Sequence, residues 1–182
     1  YKDLDNDFVA DPNELLSTQQ NDYRVWYTDV ITPEFVKTSK GVNTPINRIV
    51  FQSYYNNGKV KEVSRVDGPT ITYLWGYSKQ HPIAKIENAT YLEVANALGV
   101  STAILDTYTE ANLTAINGLR SSLPQAMVTT YTYQPLVGVT SITDPKGYTI
   151  YYEYDNFNRL KRVKDAALKI LNETEYKYKI QP

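Results

Sequence analysis

Two features of this chain could support catalysis or metal binding. They are its one histidine, His81, and a run of acidic residues near the N-terminus. A Ser-His-Asp or Cys-His arrangement would have to use His81, because a base must take the proton of the nucleophile. The 182 residues contain no Gly-x-Ser-x-Gly segment and no cysteine, which excludes a serine elbow, a thiol nucleophile and a zinc–thiolate site. We therefore interpret His81, which precedes Pro82, as a loop residue. The sequence predicts no catalytic residue and no cofactor.

The acidic segment has the ligand spacing of a calcium-binding loop, with carboxylates at loop positions 1, 3, 5, 9 and 12. Two residues disagree with that interpretation. Phe8 stands where a glycine would bend the loop, and Pro12 falls inside it. A solvated acidic segment is therefore our first interpretation, and calcium binding is the alternative. The candidate ligands are Asp3, Asp5, Asp7, Asp11 and Glu14.

Tyrosine dominates the aromatic residues, with 17 Tyr against 4 Phe and 2 Trp. Tyrosine favours strands, because its ring covers a pleated face while its hydroxyl stays in water. Exposed rings can also stack on sugars, so a carbohydrate- or protein-binding module that uses Trp26, Trp75 and Tyr77 is an alternative to a packing role. A second alternative is a hydrolase that uses acidic residues such as Glu153 and Asp155, although paired acids on a sheet face are common.

Charge and hydropathy exclude several partners. The net charge is −1 and the charges of both signs are interspersed, so there is no electrostatic reason to bind nucleic acid. No apolar run approaches the roughly 18 residues of a membrane-spanning helix. Hydrophobic residues make up 42% of the chain, which is enough to build a core.

Proline, glycine and asparagine divide the chain into four parts. Residues 1–22 are polar, and we predict a lead-in with little regular structure. Residues 23–87 are predicted to form β hairpins that include one degenerate repeat, with a turn at Asn56-Asn57-Gly58. Residues 88–124 are predicted to form a two-helix insert. Residues 125–182 return to the alternating pattern of strands.

Two capping boxes predict the helices of the insert. Thr90 with Glu93 opens the first helix, because the threonine hydroxyl can accept the amide of residue 93 while the glutamate reaches back. Thr107 with Glu110 opens the second helix in the same way. Pro124 then ends it.

A period of about 21 residues runs through the C-terminal third of the chain. Tyr133, Tyr154 and Tyr176 are 21 and 22 residues apart, and Asp144 and Asp165 are 21 apart. Each unit is a tyrosine, a short turn, a strand that begins with basic and apolar residues, and a turn that contains Asp. Such hairpins cannot bury an apolar face alone, so neighbours must lie side by side. The motif positions are Tyr54, Gly58, Tyr133, Asp144, Gly147, Tyr154, Asp155, Asn158, Arg159, Leu160, Val163 and Asp165.

These residues resemble the YD repeat of the Rhs family, whose pattern is Tyr-Asp-x-x-Gly-Arg-Leu followed by a Val and an Asp turn. The resemblance is clearest over residues 126–180 and weaker over 47–77. The sequence departs from the pattern at Asn158 and Leu168, where the family has Gly. Asparagine tolerates the positive φ that such a turn needs. The spacing from Leu160 to Val163 breaks strict alternation and predicts a bulge or a twist that redirects the strand.

The resemblance implies a mainly β fold, an open, curved antiparallel sheet of YD-type hairpin repeats with the short two-helix insert. It implies a non-catalytic structural or interaction segment of a bacterial Rhs-type protein, secreted or at the cell surface, whose repeats form a β scaffold or shell. The implied partners are the remainder of the parent repeat array and, beyond it, a C-terminal toxin domain of the parent or a cell-surface glycan or protein.

Overall fold

The computed structural model describes Lys2, Asp11 and residues 14–177, and this part of the chain is mainly β. Eleven strands within it are hydrogen-bonded in the order in which they occur, as one open antiparallel sheet. The predicted fold class is confirmed. The strands are β1 (Ser17–Tyr27), β2 (Val30–Lys40), β3 (Ile46–Tyr54), β4 (Val60–Arg65), β5 (Thr70–Gly76), β6 (His81–Glu87), β7 (Met127–Gln134), β8 (Gly138–Thr143), β9 (Thr149–Tyr154), β10 (Leu160–Lys164) and β11 (Ile170–Glu173).

The chain forms two compact units, residues 1–72 and residues 73–182. In the first unit β1 pairs with β2 along its full length, from Ser17 opposite Lys40 to Tyr27 opposite Val30. The predicted lead-in over residues 1–22 is therefore wrong from Ser17 onwards. The polar residues 17–22 form a strand because the ladder uses backbone groups, which every residue supplies.

The β3–β4 hairpin confirms the turn predicted at Asn56-Asn57-Gly58. Gly58 has a φ of +78°, which a residue with a Cβ adopts only with strain. Its amide donates to the carbonyl of Tyr55 at 2.9 Å, and the amide of Tyr55 donates to the carbonyl of Lys59 at 2.8 Å. Tyr54, the last residue of β3, is buried.

In the second unit, short helices between β6 and β7 cover apolar side chains of the sheet. They are α1 (Tyr91–Ala97), α2 (Thr102–Leu105), a 3₁₀ turn (Glu110–Asn112) and α3 (Leu113–Ser122). None of the described helices is long and apolar enough to span a membrane. The side chains without exposed surface in this unit are Leu74, Ile83, Ala84, Ile86, Val94, Ala95, Leu105, Ile116, Leu119 and Val128.

The first predicted capping box is confirmed, and the second is wrong. The Thr90 hydroxyl accepts the amide of Glu93, whose carboxylate accepts the amide of Thr90 at 2.7 Å. Thr107 instead donates its hydroxyl to the carbonyl of Ile104 at 2.7 Å, at the end of α2. The actual box joins Thr109 to Asn112 at the 3₁₀ turn. The described part of the insert therefore has three α-helices in place of the two predicted.

Candidate functional site

Three successive turns in the C-terminal part share one geometry around an aspartate. In each turn the aspartate amide donates to the carbonyl four residues later, and the amide three residues later donates to the aspartate carbonyl. The carboxylate accepts two further backbone amides. For Asp144 these are the amides of Lys146 and Tyr148, both at 2.9 Å. The equivalent bonds of Asp155 and Asp165 are 2.8–3.0 Å long. The side chain thus holds the turn from inside.

The residue three positions after each aspartate has a left-handed backbone. The φ angles are +88° at Gly147, +60° at Asn158 and +62° at Leu168. The positive φ predicted at Asn158 is confirmed. Leu168 occupies the same conformation, although a leucine there is strained by about 1–2 kcal/mol. The aspartate turn is therefore retained even where the sequence has lost the favoured residue.

Tyrosines at the end of a strand, or a few residues after it in the case of Tyr176, hydrogen-bond back to the first part of the preceding strand. The Tyr154 hydroxyl donates to the carbonyl of Val139 at 2.9 Å, and the Tyr176 hydroxyl donates to the carbonyl of Leu160 at 3.1 Å. In the first unit the Tyr54 hydroxyl donates in the same way to the carbonyl of Pro33 at 2.7 Å. A Cβ on Gly138 would overlap the Tyr154 hydroxyl, so this glycine provides the space that the tyrosine needs.

Tyr133 lies at the equivalent strand end but makes a ring contact in place of the hydroxyl bond. Its ring stacks on His81 at a centroid distance of 4.6 Å and meets the edge of Tyr77 at 5.6 Å. The Tyr133 amide donates to the Tyr77 hydroxyl at 2.9 Å. Burial raises the pKa of Tyr133 to about 12. His81 is the first residue of β6 and not the predicted loop residue, because Tyr133 gives its ring a packing surface on the sheet.

Arg159 connects the aspartate turn with the next tyrosine. Its Nε and Nη2 atoms donate to Oδ2 of Asp155 at 2.8 and 2.6 Å, and its guanidinium lies 4.1 Å from the ring centre of Tyr176. The hydrogen bond from this side chain lowers the pKa of Asp155. The register of β9 and β10 shifts between Leu160 and Arg162, which confirms the bulge predicted before Val163.

Comparison with known families identifies part of this region. Residues 137–167 match the family model of the RHS repeat. This chain carries an RHS repeat. No curated protein shows a significant match to the chain. The resemblance predicted from the sequence is confirmed over these residues.

The matched RHS repeat contains the turns of Asp144 and Asp155, together with Tyr154 and its acceptor Val139. It also includes Asp165, whose turn continues to Lys169 beyond the matched residues. The motif residues Tyr54, Gly58 and Tyr133 lie outside the match. Tyr54 and Gly58 nevertheless form the corresponding turn and tyrosine contact in the first unit.

Helix α3 is anchored to the first turn of the RHS repeat by a contact that the sequence did not predict. Arg120 donates from Nε to the carbonyl of Asp144 at 3.0 Å and from Nη2 to the carbonyl of Thr143 at 3.1 Å. Its Nη1 donates to Oδ1 of Asn117 at 2.6 Å. Because the acceptors are mainly backbone carbonyls, they have no signature in the sequence.

A strained turn before β6 packs against the 3₁₀ turn of the insert. Tyr77, Ser78 and Lys79 all have left-handed φ angles, of +51°, +57° and +60°. The Tyr77 amide donates to Oε2 of Glu110 at 2.6 Å, and this bond lowers the pKa of Glu110. The Lys79 ammonium donates to the carbonyls of Trp75 and Tyr108 at 2.9 and 2.8 Å. These contacts hold a conformation that three residues with side chains would otherwise avoid.

The candidate binding aromatics have packing contacts. The Trp26 ring lies 5.1 Å from Tyr54 and 4.8 Å from the Arg24 guanidinium. The Trp75 ring lies 6.5 Å from that of Tyr73. Tyr77 belongs to the cluster with His81 and Tyr133 described above.

The candidate calcium loop falls largely outside the described residues, which do not include Asp3, Asp5 and Asp7. Glu14 is 4% exposed, and its carboxylate accepts the amide of Asp11 at 3.1 Å. Among Lys2, Asp11 and residues 14–177, no three histidine or acidic side chains are grouped to hold a metal ion.

Proposed function

We propose that this chain is a non-catalytic structural segment of a secreted or cell-surface bacterial Rhs-type protein, in which the repeats form a β scaffold. The observation that carries the proposal is the repeated unit of an aspartate turn and a strand-end tyrosine. The RHS repeat contains the unit at Tyr154, and the contact recurs at Tyr176 and Tyr54.

The unit suits a scaffold because it can be added repeatedly without new side-chain partners. Each tyrosine hydroxyl donates to a backbone carbonyl of the preceding strand, and every residue type supplies such a carbonyl. The turn is held by its own aspartate. Each hairpin thus contacts its neighbours in the sheet order, as in other repeat proteins whose stability comes from nearest-neighbour contacts.

The state of the acidic side chains supports a non-catalytic role over the hydrolase alternative. The Glu153 carboxylate accepts a hydrogen bond from the Lys164 ammonium at 2.5 Å, and the Asp155 carboxylate forms a salt bridge with Arg159. These hydrogen bonds lower the pKa of both carboxyls. A glycosidase needs one carboxyl whose pKa is raised, so that it can donate a proton near neutral pH.

The partners proposed for the segment follow from the same role. They are the remainder of the parent repeat array and either a C-terminal toxin domain of the parent or a glycan or protein of a cell surface. The contacts of Trp26 and Tyr77 support packing roles for these rings over stacking on sugars.

A substrate screen tests the non-catalytic part of the proposal. The purified chain is incubated with chromogenic glycosides and esters, beside a heat-denatured sample and the variant Glu153→Gln. We expect the native chain and the variant to release no more chromophore than the denatured sample. Turnover by the native chain that Glu153→Gln abolishes would overturn the proposal.

A further inference from the structure

The sequence contains two Asn-Gly pairs, Asn57-Gly58 and Asn117-Gly118, which the folded chain holds in different ways. An asparagine before a glycine can lose ammonia, because the glycine amide nitrogen can attack the side-chain carbonyl carbon and no Cβ hinders its approach. Both asparagines are exposed to solvent. The backbone around each pair therefore decides whether this reaction occurs in the folded protein.

Asn57-Gly58 lies in the turn between β3 and β4. The Asn57 Oδ1 atom accepts the amide of Lys59 at 3.2 Å. The Gly58 nitrogen lies between these two residues in the chain, so this hydrogen bond folds the Asn57 side chain over that nitrogen. The same bond draws electron density from the side-chain carbonyl carbon and makes it more electrophilic. The turn thus favours attack of the Gly58 nitrogen on Asn57.

The Gly58 amide is restrained by a hydrogen bond to the carbonyl of Tyr55 at 2.9 Å. This bond must open before the nitrogen can attack. Exposed turns open at a low cost in free energy, because few buried contacts are lost. Glycine also adopts the varied backbone conformations that ring closure requires. The bond therefore slows the reaction at this turn without preventing it.

Asn117-Gly118 is the same pair inside helix α3. An amide at this position of a helix donates to the carbonyl four residues earlier, so it is released only when the helix opens. The Asn117 Oδ1 atom accepts Nη1 of Arg120 at 2.6 Å and the hydroxyl of Thr130 at 2.8 Å. These bonds hold the side chain between α3 and β7. The helical pair is protected, although its two residues are the same.

We propose that Asn57 is a site of spontaneous deamidation in the folded chain and that Asn117 is not. The Gly58 nitrogen gives its proton to solvent base and forms a bond to Cγ of Asn57. The bond from Cγ to the side-chain nitrogen breaks, that nitrogen takes up a proton, and ammonia leaves. Water then opens the cyclic imide at either carbonyl. One product is aspartate, and the other is isoaspartate, whose backbone contains an additional carbon atom.

The aspartate product gives the β3–β4 turn the residue type that holds the turns of the RHS repeat. In those turns a carboxylate accepts backbone amides, as Asp155 accepts the amide of Arg159 at 3.0 Å. Tyr55 stands at the position equivalent to Asp155, and Asn57 supplies the side-chain acceptor instead. A carboxylate at position 57 strengthens the bond from Lys59 by its charge, whereas isoaspartate lengthens the backbone of the turn. This site is separate from the proposed scaffold role.

Peptide mapping by mass spectrometry tests the proposal on the full chain. The chain is incubated in mildly alkaline buffer, with and without guanidinium chloride at an unfolding concentration. Samples are digested over time, and the mass difference between an amide and a carboxylic acid is followed at both pairs. In buffer we expect Asn57 to convert at least about tenfold faster than Asn117, because turns open more readily than helices. In guanidinium chloride the two rates should become similar.

Asn57→Gln is the matched variant, because glutamine keeps the side-chain amide and closes such a ring far more slowly. Its turn peptide should stay unmodified, and circular dichroism checks that it is folded. Equal conversion of Asn57 and Asn117 in the folded chain would overturn the proposal, as would an Asn57 that stays intact while the unfolded chain converts. A mass change that persists in the turn peptide of Asn57→Gln would assign the reaction to Asn56 and would also overturn it.

Discussion

The left-handed residue of each aspartate turn is the position where a single side chain decides the backbone energy. Leu168 has a φ of +62° and its side chain is 63% exposed, so its removal costs little packing. Leu168→Gly relieves the strain, partly offset by the greater entropy of glycine in the unfolded chain. We expect the free energy of unfolding, measured in urea, to rise by about 0.5–1 kcal/mol.

Gly147 provides the reciprocal test. A Cβ at Gly147 would meet no atom within 4 Å, so Gly147→Ala changes the backbone energy and no contact. Its φ of +88° is unfavourable for alanine, and we expect a loss of about 1 kcal/mol in the same urea titration. Equal stability of the alanine variant and the unmodified chain would show that the turn can change its conformation freely.

The Tyr154 hydroxyl tests the contact between neighbouring strands of the RHS repeat. Tyr154→Phe removes the bond to the Val139 carbonyl and keeps the ring, so we expect a loss of about 1 kcal/mol in free energy of unfolding. Tyr148→Phe is the control, because the Tyr148 ring is 69% exposed and its hydroxyl makes no hydrogen bond in the described structure. If both variants lose the same stability, the hydroxyl of Tyr154 has no special role in the repeat.

The turns could be predicted from the sequence, whereas the acceptors of the tyrosines could not. Aspartate, glycine and asparagine act within four residues of their position, so their pattern is visible in the chain. The carbonyl that Tyr154 reaches depends on strand register. The strand register shifts at Tyr133 and between Leu160 and Arg162. Sequence spacing predicted the second shift, but it did not predict which carbonyl each tyrosine hydroxyl reaches.

At the scale of elements, the contact between the strained turn and the insert depends on Gly76. A Cβ on Gly76 would lie 2.6 Å from Cγ2 of Ile83, 2.8 Å from Oε2 of Glu110 and 2.9 Å from the Glu110 amide nitrogen. Two of these atoms are held by the sheet core and the 3₁₀ turn, so they cannot move cheaply. We expect Gly76→Ala to lower the free energy of unfolding by about 1–3 kcal/mol, as overpacking does.

Gly118 is the matched control for that substitution. It lies within α3, and a Cβ there would meet no atom within 4 Å. Alanine is favoured over glycine inside helices, so Gly118→Ala should raise the free energy of unfolding by about 0.5–1 kcal/mol. A loss of stability in Gly118→Ala similar to that in Gly76→Ala would contradict the steric explanation.

The sequence analysis did not predict the elements whose own residues carry no characteristic pattern. Residues 17–22 are polar and form a strand through backbone pairing with β2, helped by the salt bridge from Lys37 to Asp22 at 2.5 Å. The turn Tyr77–Lys79 has three left-handed residues and no glycine, because contacts from Glu110 and Lys79 compensate for its strain. For the second capping box, Thr107 and Thr109 each have a polar residue three positions later, Glu110 and Asn112. Spacing alone therefore could not show which threonine caps the helix.

At the scale of the whole molecule, several carboxyls have pKa values lowered by hydrogen bonds in the folded state. Such a group stabilises the fold above its unfolded pKa, near 4, and this contribution is lost as the pH falls through its lower folded pKa. We therefore expect the urea midpoint to be flat above about pH 5 and to fall on acidification towards about pH 2. The carboxyls are those of Asp22, Glu93, Glu110, Glu153 and Asp155.

Asp155→Asn should reduce the acid-dependent fall, because the variant has no proton to bind at this position. Asp29→Asn is the substitution control, because it removes an exposed carboxylate that makes no hydrogen bond in the described structure. A urea midpoint that rises between pH 5 and pH 3 would contradict the expected sign.

The two units differ in how much apolar surface they bury, and hydrogen exchange should report this difference. Among the described residues, the buried hydrophobic side chains of the first unit are Tyr54 and Tyr55, whereas Ile116 belongs to a core of ten fully buried side chains in the second. Amide protection follows local core packing, so β6, β7 and α3 should exchange more slowly than β1 and β2. Ile116→Ala opens a cavity at a cost of about 2–5 kcal/mol and should remove protection from α3 and β7. Equal amide protection of β2 and β7 in the unmodified chain would contradict this explanation. It would show that protection comes from the backbone hydrogen bonds of the sheet and not from the core beneath the helices.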